Sequence, residues 1–357
     1  MKKLLVLAAL TVAATPALAS KARLTALGNA AHLIDTQTIF VNSADIHYLG
    51  DFATLEFGAA NNAGAVPHAE GGFVRSSAMG KWGAYLGRQS ATVSEFVKAV
   101  NDNALVGPDL LNEQNALDLM YGTELAGLKW GFGFHYSAAK DESDAAAGNR
   151  KIGTMGASAG VRTDIWDAYV RFGLMGKSEN DLAPVAPELE QKGLIDLGGG
   201  YWMDSMYVYA KYLTTKGTLT AGGTDTDIEK NEYSIGAIDT VKVDGGSFFY
   251  GASYASSELK QGPATRTATG LPVLVGMELD ATSWMVLRGS IKQTVLLGDV
   301  KDDANDGDTQ LLNDTTVAAG AGLKFGKLTL DGTLAGSTTG DVNANTLLAN
   351  ASMTYMF

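Results

Sequence analysis

The sequence of 357 residues contains no cysteine and only 7 prolines. A chain without cysteine forms no disulfides and offers no thiolate ligands, which excludes a disulfide-stapled small domain and cysteine-based metal sites. Charged residues make up only 18% of the chain. After the N-terminal leader no apolar run reaches the ~18 residues that a transmembrane helix requires, so no such helix is expected. The net charge of −12, without basic clusters, argues against nucleic acid as a partner.

Apolar residues and glycine are abundant instead. Hydrophobic residues make up 46% of the chain, and 43 residues are glycine. This balance is typical of many short strands and turns rather than of a soluble helical domain. It indicates an all-β protein.

The first residues have the pattern of a secretory signal peptide. Lys2 and Lys3 form a basic region, residues 4–14 are apolar, and Ala17-Leu18-Ala19 is a small-residue cleavage site. We therefore expect residues 1–19 to be removed and the mature chain to be exported.

From Asp51 onward, apolar and polar residues alternate with the period of a β-strand. Residues 128–137 show this most clearly, with one aromatic face and one face of glycine and polar residues. The apolar face is Leu128, Trp130, Phe132, Phe134 and Tyr136, and the other is Lys129, Gly131, Gly133, His135 and Ser137. In a membrane barrel the first row would face lipid and the second row the lumen.

The connections between these segments alternate between short turns and long polar loops. Short periplasmic turns and long extracellular loops are typical of outer-membrane barrels. The pattern predicts a transmembrane antiparallel β-barrel over 51–357 with about sixteen strands, or fourteen if the first two segments lie outside it. The five tryptophans fall near predicted short turns, as expected for an interfacial girdle. Strict alternation places Trp202 and Trp284 on the inward side.

The last stretch, 347–357, alternates in the same way and ends on Tyr355 and Phe357. It resembles the closing strand of bacterial outer-membrane barrels, and the resemblance implies recognition by the barrel insertion machinery. We expect it to pair with the 327–335 strand and to close on 52–59 in a sixteen-stranded barrel. In a fourteen-stranded barrel it would close on 81–89.

The predicted lumen face carries charges of both signs, which suits a water-filled channel better than lipid or a dry core. We take fourteen residues as pore-lining. They are Glu56, Lys129, His135, Arg162, Asp167, Arg171, Asp196, Lys211, Glu278, Asp280, Arg288, Lys292, Lys324 and Asp331.

Loop 90–114 differs from the other long loops because its apolar residues recur at helical spacing. General porins fold one long loop into the channel. By that resemblance Glu95, Lys98 and Asp102 are candidates for a constriction. The alternative is a helix that lies over the rim of the barrel.

Residues 20–50 precede the first predicted strand. The pattern of Arg23, Ala26-Leu27-Gly28, Asp35, Ile39-Phe40 and Asn42 resembles the segment that precedes the first strand of FadL-like outer-membrane barrels. The resemblance implies a plug inside the barrel. The alternative is an arm packed against the periplasmic rim.

No catalytic motif is present, so we do not expect an enzyme. The four histidines have no serine or acidic partner at a recognisable spacing. The acidic stretch 299–308 lacks ligands at required positions of a calcium loop. No metal and no cofactor are expected.

The sequence as a whole resembles the bacterial porins. The resemblance implies an outer-membrane channel for passive diffusion of small hydrophilic solutes and ions. Two alternatives stay open: a FadL-like transporter of hydrophobic solutes, and a closed structural or adhesive barrel. Expected partners are outer-membrane lipid, lipopolysaccharide and the solutes themselves. Alanine- and glycine-rich outer faces at 153–161 and 317–321 would allow a homotrimer.

Overall fold

The computed structural model describes residues 20–58, 68–90, 97, 110–142, 148–182, 184–302, 310–311, 315–337 and 347–357. The predicted signal peptide lies outside this range, as do the constriction candidates Glu95, Lys98 and Asp102. No helix among the described residues is long and apolar enough to cross a membrane.

The described chain is mostly antiparallel β-strand. The strands are β1 (Phe52–Gly58), β2 (His68–Ser77), β3 (Gly80–Leu86), β4 (Leu117–Leu125), β5 (Leu128–Asp141), β6 (Arg150–Arg162), β7 (Trp166–Asn180), β8 (Glu188–Met203), β9 (Met206–Ala221), β10 (Thr224–Val243), β11 (Gly246–Gln261), β12 (Ala264–Thr282), β13 (Met285–Asp302), β14 (Gln310–Leu311), β15 (Thr315–Phe325), β16 (Leu328–Ser337) and β17 (Leu347–Met356). Before them come one short helix, α1 (Lys21–Ala26), and two 3-10 turns, Thr38–Phe40 and Ser43–Tyr48.

The strands close into a barrel. The last strand, β17, pairs with β16 on one side and with β1 on the other. The two-residue β14 only extends the edge of β13, and β13 pairs directly with β15. The wall built by the described residues therefore has sixteen strands. This confirms the prediction of sixteen strands, rather than the alternative of fourteen, and the predicted closure of 347–357 on 52–59.

Side chains alternate across the wall as the sequence pattern predicts. On β5 the outward Phe132, Phe134 and Tyr136 are exposed. The inward His135 and Ser137 are buried. Exposed aromatic and aliphatic residues recur in this way on strands all around the barrel. A closed wall without free strand edges and with an apolar outer surface satisfies every backbone hydrogen bond in lipid.

The short turns lie at one end, and at several of them the backbone has positive φ. Ala126 and Gly127 have φ of 54° and 76°, and Gly326 has φ of 64°. At the other end, part of the sequence expected to be loop is strand. Residues 215–229, a polar stretch between two strand segments of the sequence, continue β9 and β10, and the chain reverses at Gly222 and Gly223, with φ of 57° and 78°. Its threonine-rich sequence has high strand propensity, and paired glycines favour a tight hairpin turn.

Residues 20–50 lie inside the barrel rather than at its rim. Helix α1 contacts β13, β15, β16 and β17, and the turn Ser43–Tyr48 contacts β4, β5 and β6. Apolar residues of this segment pack in two clusters with inward residues of the wall. One contains Ile39, Phe40, Ile46, Leu49, Phe52, Val74, Tyr85 and Met120, and the other Leu27, Ala30, Ile238, Phe249 and Leu274. We call residues 20–50 the plug.

The outer surface gives a depth-dependent prediction for β5. Phe132 lies towards the middle of the apolar outer face, whereas the outward Ala138 lies near the loop end of the strand. Arginine at the middle of the bilayer costs about 2–4 kcal/mol, against about 0–1 near the interface. Phe132→Arg should lower the free energy of unfolding in lipid vesicles by that larger amount, and Ala138→Arg should lower it little. Equal losses for both variants would contradict the assignment of this face to lipid.

Candidate functional site

The plug begins with a capped helical turn that rests on the barrel wall. The Ser20 hydroxyl accepts a hydrogen bond from the Arg23 amide at 3.0 Å and donates to Asp331 at 3.3 Å. The helix ends where Gly28 takes a positive φ of 65°, which glycine adopts without strain. A Cβ at Gly28 would also lie 2.6 Å from the Leu274 side chain. Glycine is therefore needed here both for the turn and for the close approach to β12.

Arg23 is the centre of the first set of ionic contacts. Its Nε and Nη2 donate to the two carboxylate oxygens of Glu278 at 2.8 and 2.9 Å. Its Nη1 donates to Asp35 at 3.2 Å. Arg288 donates to the same Glu278 at 2.7 Å and also pairs with Asp331. Two guanidinium groups thus share three carboxylates where the plug meets β12, β13 and β16.

Burial and ion pairing shift the pKa values of these charged plug residues in opposite directions. Burial alone would lower the pKa of Arg23, but Glu278 and Asp35 outweigh it and raise that pKa above its ordinary value. Burial raises the pKa of Asp35 to about 6, although Arg23 pulls it down. We conclude that the Arg23 guanidinium is charged at every working pH and that its carboxylate partners are needed to compensate the burial.

Arg162 holds the other side of the plug. Its Nε lies 2.7 Å from the Asp45 carboxylate, and its Nη2 lies 3.3 Å from Asp167 on β7. Asn42 and Tyr207 also donate to Asp167, at 3.4 and 2.8 Å. Burial raises the pKa of Asp45, and the Arg162 charge opposes that rise. The plug is therefore held by ionic contacts on two sides of the barrel.

A third set of contacts lies at β1–β3. The Gln37 amide donates to Glu56 at 2.7 Å and to the Tyr85 hydroxyl at 2.9 Å. The Lys21 backbone amide donates to Glu56 at 2.8 Å, and its ammonium group pairs with Glu70. Glu56 and Glu70 are direct partners across β1 and β2. The plug thus places donors on two carboxylates that face each other.

Lumen-facing glycines give the plug its space. A Cβ at Gly131 would overlap the backbone of Ser43, and a Cβ at Gly160 would overlap the Asn42 amide. Ser43 also bonds across to Ser158, with the two hydroxyl oxygens 2.7 Å apart. The inward glycine row of β5 and β6 is therefore a surface that matches the plug backbone.

The loop end of the lumen is narrowed by residues 110–114. Glu113 is fully buried and accepts hydrogen bonds from Ser90, Thr154 and His135. Burial alone would raise the pKa of Glu113, but these hydrogen bonds outweigh it and the pKa lies below its ordinary value. His135 also bonds to Asp118 at 2.9 Å, and Asp118 pairs with Arg88. Loop 90–114 is thereby joined to the inner wall at its C-terminal end.

An apolar cluster covers the inner wall beyond this network. Val97, Leu110 and Leu111 belong to loop 90–114, and they pack on inward residues of the strands. The wall residues of the cluster are Ile152, Leu189, Leu219 and Ile228. Between this loop and the plug lies a cavity of about 70 Å³. Both the plug residue Phe40 and the loop-side residues Arg88 and Ser90 line it.

Seven of the predicted pore-lining residues contact the plug within the described chain. They are Glu56, Lys129, Arg162, Asp167, Arg171, Glu278 and Asp331. His135, Asp196 and Arg288 pair with charged neighbours of the wall or loop. Asp280 and Lys324 pair with each other at 3.0 Å near the short-turn end. Lys211 and Lys292 face the lumen without an ion pair among the described residues. The role of these fourteen in lining a solute path stays a prediction.

Sequence reasoning missed the residues of the plug that meet this wall. Arg23, Asp35, Gln37 and Asp45 are all buried. A resemblance had marked Arg23 and Asp35, but neither was assigned a partner. Trp202 does point inward as alternation predicts, and it packs edge-on against His32 at a ring distance of 6.1 Å. No group of three or more histidine and acidic residues within the described chain is placed to hold a metal.

No protein-family model matches this chain, and no curated protein matches it. Solved barrels resemble it at low identity. A loop-deletion mutant of OmpT, an outer membrane protein of Vibrio cholerae, is 12% identical with a TM-score of 0.46, covering 86% of this chain and 97% of that one. The toluene transporter TbuX of Ralstonia pickettii is 11% identical with a TM-score of 0.40, covering 95% and 98%. A FadL homologue of Pseudomonas aeruginosa is 11% identical with a TM-score of 0.44, covering 91% and 94%.

These scores lie below 0.5, so the contacts within this chain carry the assignment. The sixteen-stranded closed wall, its apolar outer surface and its charged interior define an outer-membrane β-barrel. The half of its lumen at the short-turn end holds the plug, residues 20–50.

The glycine surface gives a prediction about how firmly the plug is seated. The side chain in Gly131→Val would overlap the Ser43 backbone and should push it away. Overpacking of this kind costs about 1–3 kcal/mol, and about 1.4 kcal/mol changes the equilibrium between the seated and the displaced plug tenfold. Trypsin cleavage after the buried Arg23 should then be about tenfold or more faster in detergent. Gly332→Val is the control, since a Cβ there meets nothing within 4 Å. A change of gel mobility on heating would show that the Gly131→Val barrel is folded. Unchanged cleavage of that folded variant would contradict the close fit between Gly131 and the plug.

His32 gives a prediction about pH. It packs against Phe249 at a ring distance of 4.9 Å, and burial lowers its pKa to about 4 from an ordinary 6.5. A depressed pKa means that its contribution to plug seating is complete above pH 6.5 and is lost as pH falls through 4. Histidine NMR in micelles should show a His32 midpoint near pH 4. In Gly131→Val the midpoint should move back towards 6.5. A midpoint near 6.5 in the unmodified protein would mean that His32 is exposed to solvent.

Proposed function

We propose that this protein is a plugged outer-membrane transporter, in which solutes cross only when residues 20–50 shift within the lumen. It is thus the transporter alternative, rather than an open pore for passive diffusion, that the geometry supports best. The observation that carries this proposal is the double ionic attachment of the plug. Arg23 binds Glu278 on one side of the barrel, and Asp45 binds Arg162 on the other.

The same charges would have a different role in an open porin. There they would line water and screen solutes by size and charge. Here Glu278 and Arg162 are largely buried and paired with plug residues. A guanidinium enclosed in this way stays charged and needs its partners to compensate the burial, and losing one partner of a buried pair costs about 3–5 kcal/mol. This makes the seated plug a defined closed state.

The loop end supports the same proposal. Val97, Leu110 and Leu111 form an apolar cluster with Ile152, Leu189 and Leu219 inside the barrel. A small apolar surface at the loop end, followed by a polar plug, fits a transporter that holds its solute before release.

The absence of cysteine allows a direct test by cross-linking. The Ser43 and Ser158 hydroxyl oxygens are 2.7 Å apart, so cysteines at both positions bring their sulfurs close enough to form a disulfide. Oxidised Ser43→Cys/Ser158→Cys protein should be silent in planar bilayers and liposome-swelling assays. Reduction should restore the transport of the unmodified protein, because the plug is then free to move.

Ser158→Cys alone is the matched control, since it cannot form the internal cross-link. Mass spectrometry establishes that the disulfide has formed. If the oxidised double variant conducts as well as its reduced form, transport does not require the plug to move. A steady open conductance of that kind would favour the diffusion channel that the sequence suggested.

A further inference from the structure

Two lysines face the lumen just above the plug without an acidic partner. On β13, Ser290 lies next to Gly28 of the plug, and Lys292 is the next inward residue towards the loop end. On β9, Tyr209 packs against the apolar cluster that contains Leu27 of the plug, and Lys211 is the next inward residue towards the loop end. Neither lysine forms an ion pair with any described residue, whereas charged neighbours on the wall do.

The acids nearest to Lys211 are already engaged. Lys211 interacts electrostatically with Asp196, Asp167, Arg171 and Lys292. Asp196 pairs with Arg171, and Asp167 lies 3.3 Å from Arg162. The Lys211 ammonium lies 5.7 Å from the centre of the Tyr209 ring. Lys211 therefore has no ion-pair partner of its own among the described residues, because both acids are paired with arginines.

Lys292 reaches open space inside the barrel. It occupies an inward position on β13, between Arg288, which is buried, and the loop end. Its own side chain is exposed. An exposed residue on the inner face means that the lumen above the plug is open to solvent at this point. A lysine ammonium in a confined space acts as a point charge for carboxylate or phosphate groups.

The sign of this region is opposite to that of the whole protein, which carries a net charge of −12. Other acids of the upper lumen are matched by bases: Asp118 pairs with Arg88, and Glu232 pairs with Lys230. An acidic protein that keeps two uncompensated lysines on its inner face has a local positive potential where a solute must wait. Low-dielectric walls focus such a potential and raise the local concentration of anions.

We propose that Lys211 and Lys292 form an anion-binding region above the plug, and that the transported solute carries a negative charge. This inference names the solute class for the transport function proposed above and rests on it. The two lysines attract the anion, and the plug below blocks its exit until it shifts. The solute is a small organic anion with a carboxylate or phosphate group, because these are the groups that a lysine ammonium attracts.

Chloride is the probe for a binding test that does not depend on transport. The ³⁵Cl NMR line of sodium chloride should broaden on adding the detergent-solubilised protein, because bound chloride relaxes faster. Lys211→Gln/Lys292→Gln should remove most of the broadening, and acetate should reduce it in the unmodified protein by competition. Lys151→Gln/Lys260→Gln is the control, because it removes two outward, exposed lysines.

Each outcome has a distinct meaning. Broadening that depends on Lys211 and Lys292 supports the anion region even if the cross-linking test of plug movement fails. Broadening that is equal in the two double variants overturns the region, whatever the protein transports. In liposome swelling, acetate should enter severalfold faster than an uncharged solute of equal size, and the Lys211→Gln/Lys292→Gln variant should lose that preference. A preference that survives in this variant overturns the proposal for the solute class.

Discussion

The structure depends on one constraint: a charge enclosed by the barrel must have a partner. Lumen charges in open water would need none, since water solvates them. Once residues 20–50 fill the periplasmic half, each enclosed charge loses its water, and desolvation costs several kcal/mol per ion. The paired arrangement of Arg23 with Glu278 and of Asp45 with Arg162 meets this requirement. The same pairing fixes where the plug sits, because a small shift would separate both pairs.

The barrel could be predicted from the sequence because its signals are local. Alternation over ten residues, as in 128–137, decides which face meets lipid, and a short turn decides the next partner strand. The closure of 347–357 on 52–59 followed from counting strands. The interior could not be predicted in the same way. Arg23 and Glu278 are 255 residues apart, and nothing in the local pattern of either residue names the other. A polar inner face can find hydrogen-bond and ionic partners either in open water or in a plug.

Glycine explains part of this ambiguity. In the sequence, the inward glycines of β5 and β6 look like space in a channel. In the fold, Gly131 and Gly160 are where the backbone of the plug touches the wall. A glycine row opposite an aromatic row predicts the orientation of a strand, but it does not distinguish a lumen filled by water from one filled by protein. In the fold, apolar residues of the plug such as Ile39 and Ile46 are fully buried, so protein rather than water fills this part of the lumen.

The pairs also determine what happens to the charges when the plug leaves. Glu278 keeps Arg288, Arg162 keeps Asp167, and within the plug Arg23 keeps Asp35. Most residues that pair between plug and wall thus have another partner, so few buried charges are left unpaired when the plug separates from the wall. The exception is the corner at β1 and β2. There Glu56 and Glu70 face each other, and Lys21 and Gln37 of the plug supply donors between them. Two carboxylates in such proximity repel each other once the donors of the plug have moved away. Displacement of the plug is therefore opposed at this corner by the repulsion of the two carboxylates, which the two arginine sites do not have.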